Sequence, residues 1–195
     1  MYEYRGMTEA KRAKVLANRK LHLHPWHAPP HFEQTRGVYI VSAACYEHRP
    51  LMATKMRRTE WETNIIDRLP ENIDIHAWVV LPNHYHLLIE GDLAVFAHRI
   101  ARLHNGFATR WNLEDKTPGR KVWHRFSDRL IRSEKHYYAS LNYIHANPVK
   151  HGHAATADAW KWSSLPLYMD TIGRERLAEW WREYPVGDYG KGWDE

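Results

Sequence analysis

The chain has 195 residues, 44% hydrophobic and 26% charged, a balance that excludes a disordered polymer and leaves room for one domain with an ordinary core. No apolar run approaches the roughly 20 residues of a membrane span, and the polar, basic stretch from Met1 to Lys20 lacks the apolar segment of a secretory signal. Cys45 is the single cysteine, which excludes a disulfide framework and Cys-based zinc clusters and makes a reducing cytoplasm the expected compartment.

Residues 1–36 form a basic N-terminal extension. Met7 to Lys20 reads as a short basic helix, and Pro25, Pro29 and Pro30 keep the next stretch of chain irregular. Its histidines, His22, His24, His27 and His31, read as a solvated arm rather than a metal site. Gly37 to Cys45 is β-branched and aromatic enough to be a first strand. Thr59 to Leu69 reads as a helix with Trp61, Ile65, Ile66 and Leu69 on one side.

Ile73 to Val80 and His84 to Glu90 are predicted strands joined by Leu81-Pro82-Asn83 as a hairpin. Asp92 is the predicted N-cap of a long helix reaching about Trp111, with Leu93, Phe96, Ile100, Leu103 and Phe107 as its apolar stripe. Arg99, Arg102 and Arg110 fall off that stripe and are candidates for phosphate contact. Leu113 to Arg120 reads as a loop, Val122 to Ile131 as a fourth strand, and Ser133 as the N-cap of another helix. The order β-α-β-β-α-β plus a helix is the ferredoxin-like split βαβ arrangement, an α+β fold with an antiparallel sheet. Beyond Gly152 the chain is rich in tryptophan (Trp160, Trp162, Trp180, Trp181, Trp193) and is expected to wrap the core.

The chemistry concentrates in two segments. Side chains alternate along a strand, so His84 and His86 share one face while Tyr85, Leu87 and Ile89 point the other way. Two imidazoles side by side are half of a divalent-metal site. In the helix after Ser133, Tyr137, Leu141 and Ile144 mark an apolar stripe, and Tyr143 lies roughly 200° from Leu141 at 100° per residue. Asn147 stands above Tyr143 on the same face, and Pro148 is expected to place it at the frayed helix end. If that helix covers the histidine face, His84, His86 and Asn147 would hold a divalent cation, Mg²⁺ or Mn²⁺. Tyr143 would then attack a phosphate, giving a phosphotyrosine and a free 3′-hydroxyl. Each element also has an ordinary explanation: incidental histidines, an exposed helical tyrosine, a helix stop before proline.

Trp78 to Ile89 and Tyr143 to Gly152 resemble the two signature segments of the REP-associated tyrosine transposases, which belong to the single-tyrosine HUH transposases. His84-Tyr85-His86 matches the histidine–hydrophobic–histidine motif, and Tyr143 to Lys150 fits Tyr-Ile-x-x-Asn-Pro-Val-Lys/Arg. Val122-Trp123-His124-Arg125-Phe126 resembles the segment ahead of the catalytic helix, and Trp160 to Tyr168 the C-terminal element. The resemblance spans residues 37–168 and leaves 169–195 as a C-terminal tail.

It implies metal-dependent cleavage and rejoining of single-stranded DNA, often at hairpins from palindromic repeats. Tyr143 carries over as nucleophile and His84 and His86 as metal ligands. Asn147 sits where relatives place a third polar ligand, a longer Gln in some. The basic excess, 28 Lys plus Arg against 23 Asp plus Glu, beside ten Trp and eleven Tyr, suits a single-strand partner held by cations and stacking rings. Arg125 and Lys150, near the tyrosine helix, join the three helical arginines as candidate DNA contacts, with the chain acting as monomer or homodimer. A non-catalytic DNA-binding regulator and a water-using metal phosphoesterase are the rival readings.

Overall fold

The computed structural model describes residues 36–191, with Thr8; the N-terminal histidines, the expected basic helix and Trp193 lie outside the described residues. Four antiparallel strands, β1 (Arg36–Ala44), β2 (Asp74–Val80), β3 (His84–Asp92) and β4 (Ser127–Leu130), form one sheet in the order β2-β3-β1-β4. Helices α1 (Lys55–Arg68) and α2 (Leu93–Glu114) cover one face, and α3 (Glu134–Lys150) covers the other. Short helices α4 (Leu165–Thr171) and α5 (Arg174–Glu183) pack outside α3. This is the split βαβ arrangement expected from the element order. Among the described residues no helix is long and apolar enough to cross a membrane.

Strand alternation sorts the core into two layers. Val41, Ala43, Tyr85, Leu87 and Ile89 join Trp61 and Ile65 of α1 and Phe96, Ile100 and Phe107 of α2. Ile40, Ala77, Val79 and Leu88 face the other way and meet Leu141, Tyr143 and Ile144 of α3. Asp92 caps α2 as its position suggests, accepting from the N–H groups of Ala94 and Val95. Ser133 caps α3 by accepting from His136 N–H at 3.1 Å.

Three boundaries differ from the sequence reading, each for a local reason. α1 begins at Lys55 because Thr54 caps it, accepting from Arg57 N–H; the first turn is polar and gives no periodic signal. β4 is shorter than Val122 to Ile131: only Ser127–Leu130 pairs with β1, and Trp123 makes an isolated bridge to Cys45. α3 runs through Pro148 to Lys150, so Asn147 is not frayed but fully buried. The proline removes one hydrogen bond to the carbonyl four residues back. Burial of both Asn147 and Pro148, and the closing bonds from His151 N–H to Asn147 O and His153 N–H to Pro148 O, hold the turn together.

The chain beyond α3 is stitched on by side chains that pattern alone does not single out. Arg58 is buried, donates to the carbonyls of Met52 and Ala53, and lies 4.1 Å from the Trp162 ring centroid and 5.1 Å from that of Trp160. A desolvated cation over an indole is worth about 2 kcal/mol, enough to matter in fixing a loop. Trp162 O accepts from Val80 N–H, extending the β2 edge, and Asn142 donates to the carbonyls of Trp180 and Tyr184.

Two buried histidines set a pH limit. His104 meets the Tyr85 hydroxyl at 3.0 Å and stacks on Trp123; His145 meets Ser164 Oγ at 2.9 Å. Burial pushes both imidazoles down to about 3 from the usual 6.5. Between these values the unfolded chain binds protons that the native chain refuses, so stability falls as pH drops below about 6.5 and continues falling toward 3. The expected slope is about 1.4 kcal/mol per pH unit for each histidine. Urea unfolding at pH 7, 6, 5 and 4 should show this loss, and His104→Gln should lessen the slope; a flat profile would contradict it.

Candidate metal and tyrosine site

The register of β1 against β3 sets the site. Ala44 pairs with His84 and Ser42 with His86, so both histidines share the face of Ile40 and Leu88, beneath α3. Between them Tyr85 points into the other layer, where its hydroxyl meets His104. The two imidazole centroids are 5.1 Å apart. Tyr143 stands over the pair, its ring 5.1 Å from that of His86, and Asn147 Oδ1 lies 3.1 Å from His84 Nε2. All four side chains are almost wholly buried.

The helical period puts Tyr143 opposite the apolar stripe of α3, and there it is as buried as the stripe. Tyr137 reaches β2, its hydroxyl 2.9 Å from His76 Nδ1, while Tyr143 and Asn147 meet β3. The helix is enclosed by the sheet on one side and the C-terminal segment on the other. From Ser140 to Pro148 every residue except Ala146 is buried.

The far nitrogens of both histidines are anchored. Asn83 Oδ1 lies 2.8 Å from His84 Nδ1, and Ser42 Oγ lies 2.6 Å from His86 Nδ1. Such partners fix ring orientation and tautomer and leave Nε2 as the atom that could coordinate a metal. At His84 the consequence is sharper, because amide oxygens stand against both nitrogens. A neutral imidazole has one N–H, so donation to Asn83 leaves a lone pair on Nε2 facing the lone pairs of Asn147 Oδ1. Without a cation that pair is satisfied by an imidazolium or by a turned amide. A divalent ion held by both atoms would also satisfy it. Among the described residues no three of His, Cys, Asp and Glu converge on a metal position, so a third protein donor would come from another residue type. The Asn147 amide oxygen could supply it, and with two imidazoles it would make a mixed N/O donor set that suits a divalent transition-metal ion such as Mn²⁺ better than Mg²⁺.

Cations at the site come from two directions. Lys150 Nζ lies 3.5 Å from the Tyr143 hydroxyl and 4.9 Å from its ring centroid. Arg125 is exposed and lines a cavity of about 230 Å³ that it shares with His84 and His86. Arg99, Arg102 and Arg110 are not brought to this site: α2 lies on the opposite face of the sheet. Arg102 is exposed there, and Arg110 pairs with Glu60 and Glu114.

Several contributors carry no readable signal in the sequence. Ser42 and Asn83 are ordinary residues until strand register brings them to the histidines. His151, just past α3, sets its ring 4.9 Å from that of His84. Above all, the tail covers the tyrosine. Tyr189 packs 5.8 Å from the Tyr143 ring and bonds Ser140 Oγ, and Lys150 Nζ reaches Gly190 O at 3.4 Å. Tyr143 is left with no solvent exposure.

The chain is 36% identical over 96 residues to a REP-associated tyrosine transposase of Escherichia coli (strain K12), covering 47% of this chain and 54% of that protein. It is 35% identical over 98 residues to a putative REP-associated tyrosine transposase of Haemophilus influenzae, covering 44% and 55% respectively. The match thus spans about half the length of the curated relatives. A solved REP-associated tyrosine transposase bound to a REP hairpin shares the fold, with TM-score 0.55 and 22% identity over 71% of this chain and 82% of that one. No family model matches.

The contact between tail and tyrosine has a direct test. Gly190 has φ +76°, and a Cβ there would stand 2.1 Å from Tyr143 Cε2. Gly190→Ala therefore displaces the tail from the ring while leaving the sheet alone. Hydrogen exchange should rise about tenfold, equivalent to about 1.4 kcal/mol of local stability, at Val186 to Gly190 and stay constant in β1 and β3. Unchanged exchange in the tail would contradict the packing described.

Proposed function

We propose that this chain, a relative of the REP-associated tyrosine transposases, cleaves and rejoins single-stranded DNA through a 5′-phosphotyrosine, at hairpin-forming repeats. The observation that carries the reading is the convergence of His84 and His86 with Tyr143 and Asn147 across the β3–α3 interface. These residues are separated in sequence, and each bland explanation treats one of them alone; the bland explanations do not account for their meeting.

In this reading His84, His86 and Asn147 hold a divalent cation, which when bound withdraws charge from a non-bridging phosphate oxygen. Ser42 and Asn83 keep the two rings oriented. Tyr143 supplies the attacking oxygen, and Lys150 sets positive charge beside it. Because the phenol is fully covered, the Val186-to-Lys191 segment has to move before a phosphate can reach it. Arg125 and Lys150 are the proposed phosphate contacts at the site. Arg99, Arg102 and Arg110 are proposed to engage DNA flanking the cleaved strand from the other face, and for Arg110 that means exchanging its carboxylate partners.

One observation favours the rival regulator reading, namely the cover over Tyr143, and activity decides between them. Incubated with a hairpin-forming single strand and Mn²⁺, the wild-type chain should form a covalent adduct, seen as a shifted protein band. Tyr143→Phe should keep DNA binding and lose the adduct. His84→Ala and His86→Ala should each abolish cleavage, whereas Asn147→Ala should do less because water can replace a neutral amide. Cleavage undiminished in saturating EDTA would overturn the metal role. Binding without any adduct would favour the regulator, and cleavage that survives Tyr143→Phe would favour the water-using phosphoesterase.

Binding should also weaken steeply with salt as phosphate contacts release counterions. Arg125→Ala should weaken binding and lower the salt slope by roughly one. Equal affinity for a hairpin strand and its perfect duplex across a salt series would count against a single-strand enzyme.

A further inference from the structure

Two cavities are lined by residues of this site. Tyr143 lines one of about 220 Å³, which neither histidine reaches; His84 and His86 line the other, which Tyr143 does not reach. An oxygen attacking phosphorus in line expels the leaving oxygen on the far side. If a phosphate held at the histidines is attacked in line by Tyr143, the cavity that the histidines line is the space open to its departing 3′-oxygen.

Three further side chains with N–H groups line that cavity: His48, His124 and Arg125. His124 is already engaged, since its Nε2 accepts the Glu47 N–H at 3.0 Å and its ring packs 4.8 Å from that of Tyr46. Arg125 brings charge, but a guanidinium does not give up its proton in a protein. His48 differs from both. Its ring is half-buried, and its Nδ1 is shut from solvent with no hydrogen-bond partner among the described residues, which leaves Nε2 as the nitrogen that can meet a leaving oxygen in the cavity.

The backbone beneath it is strained. Glu47 and His48 have φ of 55° and 51°, two successive non-glycine residues in the left-handed region. Such conformations persist only where the surroundings impose them. Here the Glu47 N–H bond to His124, the His48 N–H bond to Cys45 O at 3.0 Å and the Glu47–Arg49 ion pair impose it. The fold thus maintains a costly turn that holds the His48 imidazole over the cavity, its ring 6.1 Å from that of His124.

We propose that His48 is a catalytic residue, the proton donor to the departing 3′-oxygen; the inference rests on the transposase reading. As the bond from Tyr143 Oη to phosphorus forms, the P–O3′ bond breaks and its electron pair stays on O3′. O3′ takes a proton from the His48 imidazolium, and the phenolic proton passes to water. In rejoining, neutral His48 accepts the proton of the incoming 3′-hydroxyl, and the departing phenolate recovers one from water. His124 is a positioning residue that acts through Glu47.

The test uses His48→Asn, because asparagine tolerates positive φ and cannot relay a proton. Two hairpin strands are compared in Mn²⁺: one ordinary, one with sulfur in place of the bridging 3′-oxygen at the cleavage site mapped with the wild-type chain. A thiolate, from a thiol of pKa about 8.5, departs without being protonated. On the ordinary strand the variant should form adduct about 10²- to 10⁴-fold more slowly than wild type. On the sulfur strand the deficit should largely vanish, with hairpin binding unchanged throughout. Equal deficits on both strands, no deficit on the ordinary one, or loss of hairpin binding would overturn the role of His48. A wild-type chain that forms adduct with neither strand would instead overturn the transposase reading, and this inference with it.

Discussion

The pairing register of β1 with β3 is the constraint on which the rest depends. Ser42 opposite His86 and Ala44 opposite His84 put both imidazoles under α3 and give His86 its Nδ1 partner. A slip of one residue in β3 would turn the histidines into the apolar layer of α1 and α2 and send Tyr85, Leu87 and Ile89 beneath α3. The slip would strand the imidazoles in an apolar layer without their Ser42, Asn83 and Asn147 partners, and each unmatched buried polar group costs about 1–3 kcal/mol. The sorting of side chains between the two layers therefore enforces the site.

That sorting has a consequence for the chemistry. A cluster of imidazoles, an amide and a phenol at the centre of a domain is stable only if its polar atoms are matched, since an unmatched buried group costs about 1–3 kcal/mol. Ser42, Asn83 and Asn147 match most of the imidazole nitrogens. At His84 the match is imperfect in a specific way: acceptor oxygens flank both ring nitrogens. A bound cation would complete that match, as would an imidazolium or a turned amide. Around α3 the same rule explains why its outer face is polar yet buried. Asn142, His145 and Ser140 each bond to the segments that enclose the helix, so the tail docks by directed bonds. Enclosure gives a rigid site at the expense of access to Tyr143.

Much of this is legible in the sequence, and the parts that are not share a common cause. The four strands, the capped helices and the shared face of His84 and His86 come from periods of 2 and 3.6 and from Asp92 and Ser133, all local signals. The stripe Leu93, Phe96, Ile100, Leu103 and Phe107 is buried, as its spacing predicts. The illegible features depend on long-range placement. Pro148 normally ends a helix, and only tertiary burial carries α3 past it. Ser42 and His48 gain meaning from strand register and a strained turn. Gly190 gains it from a ring that lies far off in sequence. Arg99, Arg102 and Arg110 read as a basic patch near the histidine strand, yet α2 crosses the opposite face, a distinction that charge pattern cannot make.

The central claim is that Tyr143, and no neighbouring tyrosine, is joined to DNA. It is tested most directly by digesting the protein after reaction with a hairpin strand and sequencing the modified peptide by mass spectrometry. The tryptic peptide from His136 to Lys150 contains Tyr137, Tyr138 and Tyr143, so one set of fragment ions distinguishes all three. The account expects the nucleotide mass on Tyr143 alone. Modification of Tyr137 or Tyr138, or a cleaved strand with no modified peptide, would contradict it.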